Sequence, residues 1–479
     1  MKKTLPTCLL SPFTFKALAI SGLLFLGSKA HAQLTITTIA GTGNSAFYGD
    51  SGAATNAALN FPSGVAIDKK GNIYVADMQN NRIRVIHTND TIYTFAGNGN
   101  GGSSGNNGPA TAAAMHQPVG VATDTAGNVY ITDQVNNLIR KVNTGGIIIT
   151  IAGTGFAGYS GDNLQATAAE INKPCQITAD RHGNIFFADN NNFCIRKINT
   201  NGIITTVAGN GTTGYSGDYG QATAAKLGGP VGIAVDTFGN MYISDPVNYD
   251  IRFVNTSGII TTLAGTQTYG YTGDGGPAAS AELGYIGQIM VDYSLNIYLT
   301  DPSFNRVREI SGGIINTIAG SGGSGFSGDG GQATLAGMDA PYGLAMNPMG
   351  LMFISDQLDH HVRELIGLMG VNEVRANSEE LIVYPNPSNG VFAISINNYQ
   401  LAISNLVEVY TMLGQKVYST NYQITTGEAL MSSKGIIGNT NKSSNFQIDL
   451  SGQAPGVYLY HVISANGNLI YTGKLILEK

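Results

Sequence analysis

The fold is decided by a unit that first appears as PSGVAIDKKGNIYVADMQNNRIRVIHTNDTIYTFAG at residues 62–97. It contains four short apolar runs, which we call a, b, c and d, at residues 65–67, 73–76, 83–86 and 92–95. Between runs a and b, Asp68 stands at the first position of a turn and Gly71 at the fourth, which is typical of a tight turn because glycine accepts a positive φ. The unit therefore predicts four short strands joined by turns.

The unit recurs six times along the chain, with a period of 56 or 55 residues. The Ala-Gly dipeptide after run d begins at Ala40, Ala96, Ala152, Ala208, Ala264 and Ala319. The aspartate that closes run b keeps the same spacing, at Asp77, Asp133, Asp189, Asp245, Asp301 and Asp356. A repeat of this length predicts propeller blades or stacked units.

Two features favour a closed ring over an open stack. Run a is rich in small residues such as Gly64 and Ala66, as expected where six inner strands converge on an axis. A run of type d precedes the first run a, at residues 35–39, and none follows the last run c, at residues 362–366. We therefore expect an all-β, six-bladed β-propeller in which the N-terminal strand completes the last blade and hides an edge.

The motifs Pro-x-Gly-Val-Ala, Asn-Ile-Tyr-Val-Ala-Asp and Asn-Asn-Arg-Ile-Arg-Val resemble those of the NHL-repeat family of propellers. The resemblance covers about residues 34–366, and we assign residues 33–366 to the propeller. The fifth copy departs from the pattern, because Ile286-Gly287-Gln288 replaces Pro-x-Gly and Leu295 replaces the turn glycine. We expect that blade to be distorted.

Residues 1–32 have the features of a secretory signal peptide. Lysines precede an apolar stretch at residues 17–27, and Ala30-His31-Ala32 offers a cleavage site between Ala32 and Gln33. A membrane anchor is the alternative, although the apolar stretch is about half of the ~20 residues that a span needs. No later segment is long enough to span a membrane, so we predict a protein without a membrane span.

The charge of the chain argues against a nucleic-acid partner. The formal net charge is −6, and loss of the four lysines in residues 1–32 leaves −10. Binding to a polyanion depends on clustered Lys and Arg side chains. After export only Cys175 and Cys194 remain, on runs a and c of one blade, and the intervening strand places them beyond normal disulfide reach unless a loop distorts.

The tail is similar to the type A C-terminal sorting domain of the type IX secretion system. The similarity rests on Val383-Tyr-Pro-Asn-Pro-Ser-Asn-Gly390, Val407-Glu-Val-Tyr410, Gly414-Gln-Lys-Val417 and Pro455-Gly-Val-Tyr458. Residues 367–380 are then a linker and residues 381–479 the sorting domain, which we expect to form about seven strands in an Ig-like sandwich. An adhesive sandwich is the alternative. The resemblance implies handling by the type IX machinery and release from, or attachment to, the outer surface of a Gram-negative cell.

Two sets of charged residues recur with the repeat. An arginine follows each run-b aspartate by seven residues, at Arg84, Arg140, Arg196, Arg252, Arg308 and Arg363. A ring of structural ion pairs is the favoured interpretation, because a ligand rarely has sixfold symmetry, and a cationic binding ring is the alternative. The links from run d to run a carry Asp50, Asp162, Asp218, Asp274 and Asp329, with Asn106 in the second copy. We expect these to cap short helical turns, with calcium binding as the alternative cofactor hypothesis.

Ligand-binding candidates are positions where one copy differs from the others. Gln176 and Gln288 replace the glycine found at Gly64 and its equivalents, near the entrance of the central channel. The neighbouring candidates, which could border the same mouth, are His116, Tyr285, Asp339, His360 and His361. The alternative is that each is a surface or packing substitution. Adjacent residues on a strand point to opposite faces, so His360 and His361 make a poor metal pair, and we predict no metal site.

Two classes of function remain. The favoured hypothesis is a noncatalytic binding module outside the cell that holds a protein, peptide or glycan, because the sequence shows no catalytic constellation and no clustered metal ligands. The alternative follows from the family resemblance, since related six-bladed folds include lyases and lactone hydrolases with a divalent metal or His/Asp groups in the channel. The fold alone does not separate the two.

Overall fold

The computed structural model describes residues 34–292, 294–347 and 350–367 of the repeat region. In the C-terminal region it describes residues 381–384, 388, 390–397, 404–411, 416–423, 443–464 and 469–477. The predicted signal peptide with its cleavage site at Ala32 and Gln33, and the predicted linker after Gly367, lie outside these residues.

The repeat region forms six antiparallel sheets, one for each copy of the unit. Strand β1 (Thr35–Ala40) comes first; blade 1 contains β2 (Pro62–Ile67), β3 (Ile73–Asp77), β4 (Arg82–Ile86) and β5 (Ile92–Ala96). Blade 2 contains β6 (Gly108–Pro109), β7 (Pro118–Thr123), β8 (Val129–Asp133), β9 (Leu138–Val142) and β10 (Ile147–Ala152). Blade 3 contains β11 (Pro174–Ala179), β12 (Ile185–Asp189), β13 (Cys194–Ile198) and β14 (Ile204–Ala208).

The remaining blades follow the same order. Blade 4 contains β15 (Ile233–Val235), β16 (Met241–Asp245), β17 (Asp250–Val254) and β18 (Ile260–Ala264). Blade 5 contains β19 (Gly276–Pro277), β20 (Ile289–Val291), β21 (Ile297–Asp301), β22 (Arg306–Ser311) and β23 (Ile314–Ala319). Blade 6 contains β24 (Pro341–Met346), β25 (Met352–Asp356) and β26 (His361–Ile366).

Helical structure in the described residues is limited to single 3-10 turns. Six lie in the links between blades, at Ala54–Asn56, Ala110–Ala112, Ala166–Ala168, Ala222–Ala224, Ala278–Ser280 and Ala333–Leu335. Two follow the second strand of a blade, at Met78–Asn80 and Asn190–Asn192. The expected all-β class is confirmed.

The ring is closed by its first strand. Strand β1 pairs antiparallel with β26, so that Thr35 lies opposite Ile366 and Thr38 opposite Arg363. The sheet of blade 6 accordingly has the order β1-β26-β25-β24. This pairing confirms the predicted six-bladed propeller.

Six apolar clusters hold the ring together, and each lies between two neighbouring blades. Between blades 1 and 2, for example, buried Tyr74 and Ile83 belong to the same cluster as Ile131 and Val142. Because each sheet is covered on both faces by its neighbours, its central strands are apolar at successive positions. Sequential apolar runs are therefore a consequence of closure.

The inner strands converge tightly at their starts. A Cβ atom on Gly64 would lie 2.5 Å from the carbonyl oxygen of Val119, and one on Gly120 would lie 2.5 Å from that of Cys175. Only glycine allows the backbones of adjacent blades to approach so closely. In blades 4 and 5 the inner strand is shortened to three residues, and in blade 5 Leu295 takes up the turn glycine's positive φ of 65°.

The links between blades cover the outer edges of the sheets. In blade 3, the Asn163 N–H donates to the Ile204 carbonyl at 2.8 Å, and the Ile204 N–H donates to the Leu164 carbonyl at 3.0 Å. The same pairing is long enough in blades 2 and 5 to form the short strands β6 and β19. The start of each outer strand is thus paired with a link, which covers part of an edge that could otherwise pair with another chain.

The described part of the tail contains seven strands in two sheets. They are β27 (Leu381–Tyr384), β28 (Val391–Asn397), β29 (Ser404–Thr411), β30 (Lys416–Gln423), β31 (Ser443–Asp449), β32 (Gly456–Ser464) and β33 (Leu469–Leu477). Their orders are β27-β28-β31 and β30-β29-β32-β33. Phe392 and Ile448 of one sheet share a buried cluster with Val407, Val409 and Tyr460 of the other. The Ig-like topology stays a prediction.

Cys175 and Cys194 are both buried and both free. Burial raises the pKa of the Cys175 thiol to about 12 and also raises the pKa of Cys194. Such thiols are poor nucleophiles because little thiolate forms.

Among the described residues no helix has the length and apolarity to cross a membrane.

Candidate functional site

The ring of charged residues lies inside the blades. Each arginine of the ring is fully buried on the third strand of its blade, as are the aspartates that end the second strands. Arg84 Nη1 lies 3.4 Å from Asp77 Oδ2, and the corresponding distances are 3.3 Å for Arg140–Asp133, 3.3 Å for Arg196–Asp189 and 3.8 Å for Arg363–Asp356. Each of the six aspartates also accepts a backbone N–H hydrogen bond from the link, as Asp245 and Asp301 do from Gly228 and Gly284.

A second carboxylate completes the arginine environment in five blades. It comes from the link, and its distances to Nη2 are 2.6 Å for Asp50–Arg84, 2.9 Å for Asp162–Arg196, 2.6 Å for Asp218–Arg252, 2.7 Å for Asp274–Arg308 and 2.6 Å for Asp329–Arg363. The arginine also donates to link carbonyls, as Arg363 does to Gly337 and Ser327. The guanidinium therefore fastens the link to the following blade.

This geometry corrects the expectation that the link aspartates cap helical turns. The 3-10 turns of the links have no side-chain cap, and the residue before each turn is Ala, Pro or Gln. An arginine 34 residues further along the chain takes up the carboxylate instead. No group of three or more His, Cys, Asp or Glu side chains in the described residues is arranged to hold a metal ion.

An aromatic ring from the link covers the guanidinium in four of these blades. The distances from Cζ to the ring centroid are 4.9 Å for Arg84–Phe47, 5.1 Å for Arg196–Tyr159, 4.8 Å for Arg252–Tyr215 and 4.8 Å for Arg363–Phe326. Cation–π contact of this kind suits a guanidinium that has been removed from water. The arginines of these four blades are thus enclosed on several sides.

Burial dominates the electrostatics of the second-strand aspartates. It raises the pKa of Asp77, Asp189, Asp245 and Asp301 to about 6, against the lowering effect of their hydrogen bonds. Asp250 stands out further, because burial and the neighbouring Asp245 raise its pKa to about 8. Neither carboxylate oxygen of Asp250 has a hydrogen-bond partner in the described structure.

The axial cavity lies at the C-terminal ends of the inner strands, next to the turns between the first and second strands of the blades. It has a volume of about 200 Å³, and its walls are Gln176 and the last three residues of the inner strands, at 65–67, 121–123, 177–179, 233–235, 289–291 and 344–346. Its polar wall residues are Thr123, Gln176 and Thr178, and none of its wall residues is ionisable.

Gln176 and Gln288 are buried in the ring of inner strands. Gln176 Oε1 accepts from the backbone N–H groups of Ile233 at 2.9 Å and Ile289 at 3.3 Å, while its Nε2 donates to the Ile289 carbonyl at 3.1 Å. Gln288 Oε1 accepts from the Leu344 N–H at 2.9 Å. Gln288 therefore bridges the neighbouring blades 5 and 6, whereas Gln176 of blade 3 reaches the backbones of both blade 4 and blade 5. Gln176 is the one sequence-predicted candidate that also lines the cavity.

The other five candidates lie away from the cavity walls, in the links, in the loop between β25 and β26 and, for His361, at the start of β26. His116 and Asp339 donate backbone N–H groups to Asp133 and Asp356. His360 Nδ1 accepts from the Phe61 N–H at 3.2 Å, and the His361 ring stacks on Phe326 with centroids 4.2 Å apart. Tyr285 is exposed, and its N–H donates to Ser303.

Sequence reasoning missed a cluster of aromatic side chains at blades 4 and 5, which we call the aromatic patch: Tyr249, Tyr269, Tyr271 and Phe304. Ring centroids are 5.3 Å apart for Tyr249–Tyr269, 5.0 Å for Tyr269–Phe304 and 4.9 Å for Tyr271–Phe304. Tyr269 is 53% exposed and Tyr271 47%. The available signal was the aromatic residue three positions before the link aspartate, which recurs in five copies.

Family comparisons match both parts of the chain. The Teneurin NHL domain model matches residues 35–104, 156–216 and 210–272, and the Secretion system C-terminal sorting domain model matches residues 382–478. Teneurin-1 of Mus musculus is 25% identical over 472 residues, which cover 89% of this chain and 16% of teneurin-1. Protein SUPPRESSOR OF QUENCHING 1, chloroplastic, of Arabidopsis thaliana is 27% identical over 158 residues, covering 29% of this chain and 14% of its own length. The chain thus spans a small part of these relatives.

Solved structures share the fold at low sequence identity. A structural-genomics protein of unknown function from Bacteroides thetaiotaomicron has a TM-score of 0.53 and 19% identity, covering 69% of this chain and 75% of that one. An auxiliary nutrient binding protein from Bacteroides ovatus has a TM-score of 0.51 and 14% identity, covering 70% and 76%.

The sorting-domain match also shows where the protein is located. A domain of this type marks a protein for the type IX secretion system, so the chain is secreted or attached to the outer surface of a Gram-negative cell. The NHL-type motifs, the six sheets of the structure and the sorting-domain match of the tail all support the same assignment. The chain is therefore a six-bladed NHL-repeat β-propeller protein that carries a type IX C-terminal sorting domain.

Proposed function

We propose that the propeller is a noncatalytic binding module, which holds an extracellular protein, peptide or glycan at the aromatic patch. The observation that carries the proposal is the mutual contact of Tyr249, Tyr269, Tyr271 and Phe304 at the surface. Tyrosine and phenylalanine are enriched at binding surfaces because they offer a large apolar area with few rotatable bonds.

A charged side chain extends the same surface. Arg306 lies over the Tyr271 ring, with Cζ 4.7 Å from the centroid. An arginine stacked on an exposed aromatic ring is typical of interface anchors, since the stacking holds the guanidinium in place for a polar partner.

The chemistry of the axial cavity supports a noncatalytic role. General acid–base catalysis needs a titratable group within hydrogen-bond reach of the substrate, and metal catalysis needs clustered ligands. The cavity walls are mainly Val, Ile, Ala, Leu and Met, with two threonines and one glutamine. Gln176, the most polar of them, is engaged by backbone groups.

The proposal agrees with one of the structural neighbours. The Bacteroides ovatus propeller of similar fold is named an auxiliary nutrient binding protein. At 14% identity this likeness concerns the fold alone, so the ligand of the present chain has to be found by experiment.

The experiment is a glycan, peptide and protein array probed with the full exported chain. The test variant is Tyr269→Ser with Tyr271→Ser, and the control is Phe238→Ser. Phe238 is 68% exposed and lies in the turn between β15 and β16, at the ends of these strands opposite to the loop that contains Tyr249. We expect the double variant to lose most of the array signal and Phe238→Ser to retain it.

A third variant separates this proposal from the lyase or lactone hydrolase alternative. Thr178→Phe narrows the axial cavity, where Thr178 is half-buried in the wall. If Thr178→Phe retains all the ligands that the wild-type chain binds, the result supports the aromatic patch as the binding site. Loss of the array signal in Thr178→Phe with retention in the double tyrosine variant would overturn the proposal, as would turnover of a bound ligand by the wild-type chain.

A further inference from the structure

Blade 2 departs from the other blades at its buried arginine. The other five links supply an aspartate and, three residues before it, a Phe or Tyr; the link of blade 2 has Asn106 and Ser103 at these positions. The whole link, residues 97–117, contains no Asp, Glu, Lys or Arg. Blade 2 therefore lacks both the carboxylate and the aromatic residue that the other five links carry at these positions.

The replacement leaves Arg140 incompletely paired. Its side chain is fully buried, and Nη1 donates to Asp133 Oδ2 at 3.3 Å. Nη2 has no hydrogen-bond partner among the described residues, whereas Nη2 of each of the other five arginines donates to a link carboxylate. A buried donor without an acceptor is costly, and a charged donor more so.

A second donor faces the same position. In blade 1 the Thr94 hydroxyl donates to Asp50 Oδ2 at 2.7 Å, beside the Arg84 contact to Oδ1. In blade 2 the equivalent Thr150 hydroxyl donates to Asn106 Oδ1 over a longer distance of 3.3 Å. Arg140 and Thr150 thus repeat the donor pair that holds a carboxylate in blade 1.

The position can be reached from solvent. The link aspartates of the other blades are only part-buried, and the Asn106 side chain is exposed. The Thr150 contact is the one hydrogen bond of the Asn106 side chain in the described structure, so this side chain can give way to a stronger acceptor. Without the link aspartate, Arg140 and Asp133 are balanced in charge and the network can accept one more anionic group.

We propose that blade 2 binds a carboxylate group of an external ligand between Arg140 Nη2 and Thr150 Oγ1, in the position that a link aspartate occupies in the other five blades. A charge-assisted hydrogen bond to the guanidinium supplies the attraction. The site is independent of the aromatic patch, so it goes beyond the proposed function and does not depend on it.

Acetate is the matched probe, because it has the size of an aspartate side chain. Saturation-transfer NMR with the full exported chain should give an acetate signal that saturates with concentration. Asn106→Asp supplies the carboxylate from the link and should abolish that signal. Asn107→Asp places the same charge one residue away and should leave most of it.

A gain of binding elsewhere provides a second test. Asp162→Asn removes the link carboxylate from Arg196 in blade 3, and acetate should then raise the Tm of this variant by about 2 °C more than sodium chloride does at equal ionic strength. This variant retains Tyr159 over the arginine, so a response shows that the carboxylate position by itself forms the site.

Two blocked peptides distinguish the source of the carboxylate. Acetyl-Gly-Asp-Gly-amide copies the link segment Gly273-Asp274-Gly275, and its Asn counterpart is the control. Competition of the Asp peptide with acetate supports a peptide side chain as the ligand, and binding of acetate alone supports a small free carboxylate. Absence of an acetate signal in the wild-type chain overturns the proposal. An equal acetate signal in Asn106→Asp also overturns it and identifies the acetate contact as adventitious only.

Discussion

Thr38 in the first strand of the propeller is the antiparallel partner of Arg363 in the last strand. Arg363 in turn donates to Asp329 of the sixth link at 2.6 Å, and the same aspartate accepts a hydrogen bond from the Thr38 N–H at 3.1 Å. The closure of the ring and the fastening of the sixth link therefore share one carboxylate. A substitution that weakens the closure of the ring and one that weakens the fastening of the sixth link therefore both affect blade 6.

The closing strand should be essential to stability. Ile36 is fully buried in the cluster between blades 5 and 6, so Ile36→Ala should lower the free energy of unfolding by about 2–4 kcal/mol. Urea unfolding of the full exported chain measures the change. Thr37→Ala, at a half-buried neighbour, should change it by less than about 0.5 kcal/mol. Equal effects of the two variants would contradict the role of β1.

An arginine paired with two carboxylates, such as Arg196, should be indispensable to the stability of the fold. Arg196→Met leaves Asp162 and Asp189 without their cation, which should cost about 3–5 kcal/mol of unfolding free energy. The loss should be smaller at pH 5 than at pH 8, because burial raises the pKa of Asp189 to about 6 and the protonated acid needs no cation. Lys197→Met, at the next and half-buried position, is the control for denaturant measurements at both pH values. A loss below about 1 kcal/mol at pH 8 would show that the pairs are dispensable.

Stability should fall as the pH rises between about 6 and 8, because of Asp250. Burial and the opposing Asp245 raise its folded-state pKa to about 8, far above the ~3.9 of an unfolded aspartate. The folded state therefore keeps a proton that the unfolded state has lost, and the stabilisation present at low pH disappears as the pH passes through the folded-state pKa. The slope can reach about 1.4 kcal/mol per pH unit.

The variant Asp250→Asn should remove this slope and be more stable than the wild-type chain at pH 8. The measurement is urea unfolding of both chains at pH 6, 7 and 8. The difference between the two pH profiles isolates the contribution of Asp250. Both chains retain Asp77, Asp189, Asp245 and Asp301, whose pKa values are raised to about 6. Parallel pH profiles for the two chains would be inconsistent with a protonated Asp250.

Gln176 should prove to be a structural bridge. Gln176→Ala leaves the N–H groups of Ile233 and Ile289 without their acceptor, so the free energy of unfolding should drop by about 2–3 kcal/mol. Thr178→Ala changes another wall residue of the cavity and should have a smaller effect. Both variants should retain the array binding of the wild-type chain. Loss of ligand binding in Gln176→Ala, with unfolding unchanged, would instead make the glutamine a ligand contact.

Much of the fold could be read from the printed sequence. The recurrence of Ala-Gly and of the run-b aspartate predicts six equal units, and the unpaired run at residues 35–39 predicts how they close. Both predictions depend on the spacing and the number of the repeats. Because every copy carries the same pattern, a single irregular copy such as the fifth does not obscure them. The sorting domain could be recognised for the same reason, because its motifs are local.

The candidate site was less accessible to sequence reasoning. Asp162 meets Arg196 only because the link turns back along the outer strand of blade 3, and no periodicity relates residues 34 apart. The sequence favours helix caps as the role of the link aspartates, because a cap is the nearest partner along the chain. The aromatic patch likewise combines Tyr249 from one blade with Tyr269 and Phe304 around the next.

By itself, the sequence determined the six blades, the closing strand and the sorting tail, since these depend on the order and spacing of apolar runs along one chain. Only the tertiary structure decided that Gln176 bridges backbones, that Arg196 is enclosed and that Nη2 of Arg140 lacks an acceptor. The physical reason is that hydrogen bonds and ion pairs act over a few ångströms in space, and folding brings together groups whose separation along the chain carries no trace of that contact.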